Sequence, residues 1–62
     1  MFGKLNQEWQ GVPAGTEVEI LQTVIAFGDR VHECRRTDGA TLPGPYGARQ
    51  VTRITANFIE IL

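Results

Sequence analysis

Apolar residues in this chain recur mainly at every second position, the period of a strand with one buried and one wetted face. In Thr16–Leu21, Val18 and Ile20 alternate with Glu17 and Glu19, and near the end Ile59 and Ile61 flank Glu60. Both stretches predict half-buried strands. Gln22-Thr23 blurs the alternation before Val24-Ile25-Ala26-Phe27, which predicts a bulge or bend there. Arg30–Arg36 predicts another strand of uncertain phase, because Val31 shares a face with Glu33 and Arg35 while His32 and Cys34 share the other. The expectation is Val31 inward at one end and Cys34 inward at the other, with a twist or bulge between. Ala48–Arg53 adds a fourth strand. Thr55-Ala56-Asn57 is too short for an α-helix and too polar for a strand interior, so a single 3₁₀ turn is expected before the closing strand.

Between these runs lie turn residues. In Gly11-Val12-Pro13-Ala14-Gly15, Pro13 suits the second position of a turn and Gly15 supplies a positive φ two residues later. Gly28-Asp29 and Thr37-Asp38-Gly39 mark two more turns. Two prolines and two glycines within Ala40–Gly47 predict mostly irregular backbone, with Pro43–Gly47 an exposed loop presenting Tyr46. Met1–Gln10 stays open: Phe2, Leu5 and Trp9 have a weak helical spacing, Gly3 and Asn6 oppose a helix, and an irregular first strand is the alternative. Four strands plus that fifth, with no long helix, point to a small barrel or strongly bent sheet. Its expected core is Val18, Ile20, Val31, Val51, Ile54, Ile59 and Ile61.

Sixty-two residues predict one domain, residues 1–62. A chain this short buries only about 60% of its unfolded surface, so oligomerisation or docking on a partner would add useful stability. With 42% apolar and 21% charged residues and a net charge of −1, neither disorder nor a polycationic nucleic-acid binder is indicated. One cysteine excludes an intrachain disulfide and the cysteine-rich metal motifs, and no phosphate-cradling glycine motif is present, so no metal or cofactor is expected. No apolar run approaches the roughly 18 residues of a membrane span, and Met1–Gln10 lacks the pattern of a signal peptide. A soluble, cytoplasmic protein without membrane partners is the expectation.

Two segments together resemble SH3 domains. Val12-Pro13-Ala14-Gly15-Thr16-Glu17-Val18-Glu19-Ile20-Leu21 is similar to the diverging turn and second strand of that family. Ile54-Thr55-Ala56-Asn57-Phe58-Ile59 resembles its closing Ile-Pro-Ser-Asn-Tyr-Val motif. The two cover about a quarter of the chain. The resemblance implies an all-β, five-stranded SH3-like small barrel with a 3₁₀ turn before the last strand. It does not carry the family's ligand: Thr55 stands where the groove proline would be, Phe58 where the tyrosine would be, and Arg30-Val31 where the tryptophan belongs. Without stacked rings a polyproline peptide has no slots, and none is expected to bind.

Candidate chemistry is sparse. His32 and Cys34 share a strand face, yet a nucleophilic pair needs an orienting group and an anion hole, and neither is visible, so no enzyme is expected. Glu17 and Glu19 read as solvent-side carboxylates. The favoured function is a non-catalytic protein-interaction module or small accessory subunit, binding a protein partner or itself. Its candidate contact residues are Trp9, Phe27, Tyr46 and Phe58, because aromatic rings anchor interfaces, although Trp9, the single tryptophan, reads first as a partly buried packing anchor. The alternative is nucleic acid. Residues 29–53 hold five arginines against Asp29, Glu33 and Asp38, a local excess of +2. Arg35, Arg36, Arg49 and Arg53 would form one basic sheet face beside Tyr46 if their strands are neighbours, and the favoured reading against this is a solvated face with cross-strand pairs to Glu17, Glu19 or Glu33.

Overall fold

A computed structural model describes residues Met1–Leu62. Five strands form one antiparallel sheet: β1 (Phe2–Leu5), β2 (Glu17–Ala26), β3 (Asp29–Arg36), β6 (Thr52–Thr55) and β7 (Ile59–Ile61). Their order is β6-β3-β2-β1-β7, and β4 (Leu42–Gly44) with β5 (Gly47–Arg49) makes a separate hairpin. The fold is all-β, with one 3₁₀ turn, Ala56–Phe58, before the last strand, one residue later than expected. That turn joins the two edge strands of the sheet. Laid flat, four strand spacings would separate those edges by about 19 Å. A 3₁₀ turn advances only about 2 Å per residue. The sheet therefore curls until β6 and β7 approach one another, and the core fills the curl.

Register explains the ambiguous phase of β3. Ile20 lies opposite Cys34, but Gln22 already lies opposite Glu33, so Leu21 is an extra residue in β2. The irregularity expected near Gln22-Thr23 is thus a bulge at Leu21, whereas β3, expected to twist or bulge, alternates cleanly with His32 and Cys34 buried. A bulge exchanges the faces of everything beyond it. Before Leu21, Val18 and Ile20 point inward; after it, Thr23 shares a face with His32, and Val24 pairs with Val31 on the other side. Val31 is consequently only half-buried and is not a core residue.

Nine residues form the core: Leu5, Trp9, Val12, Val18, Ile20, Cys34, Leu42, Ile54 and Ile59. Two further members of the expected core are exposed instead. Val51 keeps 39% of its surface because it sits in a bend between β5 and β6 rather than within a single Ala48–Arg53 strand. Ile61 keeps 47% because β7 is an edge strand and the residue opposite it is Gly3, which has no side chain to cover it. Gly3 is bare for a reason. A methyl group there would lie 2.7 Å from Ile59 Cγ2 and 2.9 Å from the Glu60 carbonyl oxygen.

The Thr37-Asp38-Gly39 turn stands where expected, while other turns shift. Pro13 is the first residue of its turn, its carbonyl accepting from Thr16 N at 3.2 Å, while Gly15 has the expected positive φ of 87°. The β2–β3 turn is Phe27-Gly28, not Gly28-Asp29. The segment read as irregular contains the β4–β5 hairpin, and Leu42 from it is fully buried. Trp9 and Val12 exchange two backbone hydrogen bonds around Gln10-Gly11, a turn unforeseen because no apolar alternation flanks it.

Candidate functional site

The four candidate aromatics separate by burial. Trp9 is a core residue with 9% exposure, and Phe58 is half-buried against the core, so neither presents a free ring. Phe27 and Tyr46 are exposed at 106% and 97%. Each occupies a two-residue hairpin turn, Phe27-Gly28 between β2 and β3 and Pro45-Tyr46 between β4 and β5. Phe27 has a φ of 52°, in the left-handed region. Two-residue hairpins favour positive φ because it matches strand twist, and asparagine, aspartate and glycine normally supply it. A phenylalanine there is strained. Ile25 and Leu21 on the same strand are also exposed. Sequence reading missed these two because their placement depends on the bulge.

The arginines do not form one basic face. Arg35 lies opposite Glu19 and donates to it from Nε at 2.8 Å, with Nη2 at 2.7 Å. Arg36, next along β3, points to the opposite face and grips Asp38 through Nε and Nη2 at 3.0 and 2.8 Å. Arg53 lies opposite Glu33 and donates from Nε at 2.9 Å; Gln22, on the other side of Glu33, donates to its second oxygen. Those two hydrogen bonds hold the Glu33 carboxyl below its usual range, Gln22 contributing most. Hydrogen bonds from Arg36 and from the Ala40 amide do the same for Asp38. Arg49 stands on the separate hairpin and forms no ion pair. With Arg53, Glu33, Pro45, Val51 and Thr52 it lines a groove of about 410 Å³, whereas Arg35 and Arg36 line a different one.

His32 and Cys34 do share the inward face, but both are packed away. Cys34 is fully buried, and burial, then the Glu33 charge, push its thiol up to about 11, so at neutral pH it stays protonated and donates to the His32 carbonyl at 3.3 Å. His32 Nδ1 is hydrogen-bonded to Thr23 Oγ1 at 2.7 Å. Burial, then the nearby Arg30 charge, lower its pKa below 6.5. The unfolded chain takes up this proton more readily than the folded one. Stability should therefore be complete above about pH 6.5 and decline as the pH falls through the folded value. Glu33 and Asp38 contribute in the same direction only below their ordinary values of 4.5 and 3.8. Urea midpoints should thus fall between about pH 7 and pH 5 in the parent and stay nearly flat in His32→Gln. A parent profile with no slope there would refute the buried neutral imidazole.

No protein-family model, curated protein or solved structure matches this chain.

Proposed function

We propose that the protein is a non-catalytic protein-interaction module on an SH3-like barrel, and that it docks through the ring at the tip of the β2–β3 hairpin. One observation carries this reading: Phe27 is wholly exposed and holds a left-handed backbone at φ 52°. Left-handed backbone costs an ordinary L-residue about 1–2 kcal/mol. Closing the β2–β3 hairpin sets the backbone there, but the exposed ring itself adds no packing within the fold to offset that cost. A partner that buries an aromatic anchor would offset it. Exposed Ile25 and Leu21 extend the apolar surface along the same strand.

The expected result is a separation of stability from binding. Phe27→Asn should raise the unfolding free energy by about 1 kcal/mol, because asparagine tolerates the left-handed region. The same change should abolish capture of whichever protein the parent retains, and any self-association seen by sedimentation. A variant that is more stable yet captures the same partner equally well would remove Phe27 from the interface. Nucleic acid is the weaker alternative, since Arg35, Arg36 and Arg53 already face carboxylates and the net charge is −1. Retention of nucleic acid by the parent in place of protein would reverse the order.

A further inference from the structure

We propose that the groove between the β4–β5 hairpin and β6 binds an acidic peptide segment, one carboxylate being held by Arg49 and Arg53 together. Arg49 is seated for this. A Cβ on Gly44 would come within 2.8 Å of Arg49 Cδ and 3.0 Å of its Cγ, so the arginine stem lies directly across bare backbone of the neighbouring strand. Arg49 lines the groove and has no carboxylate partner. Arg53 is oriented from behind: Glu33 accepts from Nε only, and the two terminal nitrogens donate to nothing in the protein. Glu33 is itself held by Gln22, so this support is a three-strand ladder. Two arginines thus line one groove with N–H donors to spare.

Donors of that kind match an anion, and the planar arginine fork matches a carboxylate well. The rest of the groove selects among anions. Pro45 and Val51 give apolar walls suited to the aliphatic part of a glutamate and its neighbours. The Glu33 carboxylate in the wall repels a second negative group placed close behind the first. Nucleic acid presents a continuous row of phosphates, and its affinity grows with the number neutralised. Here Arg35 and Arg36 belong to another groove and are already paired. A short segment with separated carboxylates fits; a phosphate backbone does not. The site is independent of Phe27, so either proposal can fail alone.

The test uses the whole ¹⁵N-labelled chain at physiological ionic strength. It is titrated with a blocked Val-Glu-Val-Glu-Val peptide, the same peptide with glutamine for glutamate, and single-stranded oligothymidine. The side-chain Nε signals of Arg49 and Arg53 should move with the glutamate peptide and not with the glutamine one. Arg49→Gln, which keeps the stem across Gly44 and removes the charge, should weaken binding about 10-fold or more, the worth of one charge-assisted contact. Gly44→Ala, which displaces the stem while leaving Arg49 present, should weaken it as well, whereas Arg35→Ala and Phe27→Asn should not. Urea midpoints of the variants confirm that each is folded. Equal response to the glutamine peptide, affinity unchanged in Arg49→Gln, tighter binding of oligothymidine than of the peptide, or no movement at either arginine would each overturn the proposal.

Discussion

Ile54→Ala should lower the free energy of unfolding by about 2–5 kcal/mol, the usual range for truncating a fully buried aliphatic residue. Ile54 has no exposed surface, lies opposite His32 and belongs to a strand only four residues long. Domains of this length hold together by about 3–9 kcal/mol in total, at roughly 0.05–0.15 kcal/mol per residue. The loss is therefore a large share of the whole, and a cavity beneath an edge strand can also release that strand locally. The informative comparison is Val51→Ala, three residues earlier. With 39% of Val51 exposed in a bend, the change should cost no more than about 0.5–1 kcal/mol. Urea midpoints at equal slope decide the matter. Equal losses at the two positions would mean that the bend before β6 and the inward side of that strand are misassigned.

Gly3→Ala should destabilise by about 1–3 kcal/mol, the cost of forcing an extra methyl into a packed site. An alanine normally favours an extended strand over glycine, so intrinsic propensity predicts the opposite sign. Contacts decide against propensity here. The added carbon meets Ile59 Cγ2 at 2.7 Å and the Glu60 carbonyl oxygen at 2.9 Å. The first neighbour could be trimmed, but the second is backbone of β7, which pairs with β1 through this very stretch. Relief of the oxygen contact requires β7 to shift as a strand. Combining Gly3→Ala with Ile59→Ala should cost less than the two singles added, by about 0.5–3 kcal/mol, because one of the two clashes is gone. Strict additivity would show that Ile59 is not the neighbour. A gain in stability from Gly3→Ala alone would show that β1 and β7 are not packed this closely.

Much of the fold was readable because strand chemistry is local. Alternation at Val18-Glu19-Ile20 and Ile59-Glu60-Ile61, and the short polar run before the closing strand, each state a local backbone preference that the sheet keeps. The β4–β5 hairpin was hidden for the converse reason: Leu42-Pro43-Gly44 has neither alternation nor β-branched residues, and it is extended only because Leu42 reaches the core. The candidate site was less legible. Phe27 and Tyr46 could be nominated from ring chemistry and neighbouring turn residues, and both are exposed. Trp9 could be read from the sequence as a packing anchor or as a contact residue, and burial in the core decides for the first. Gly44, which seats Arg49, looked like one more loop glycine.

What this sequence determined alone is the extended character of β2, β3, β6 and β7, the residue types at most of their turns, and the absence of a long helix. Each depends on interactions within a few residues. Tertiary structure decided which residues stand opposite one another. One inserted residue, Leu21, reverses the faces of the rest of β2, turning Val24 away from the core to pair with Val31. The same pairing sets Glu19 against Arg35 and Glu33 against Arg53, which chooses the cross-strand pairs over one basic patch. Side chains alternate with a period of two along a strand, but a register shift of one residue exchanges the two faces completely. That choice is settled by the partner strands and the closure of the curl, not by any local preference.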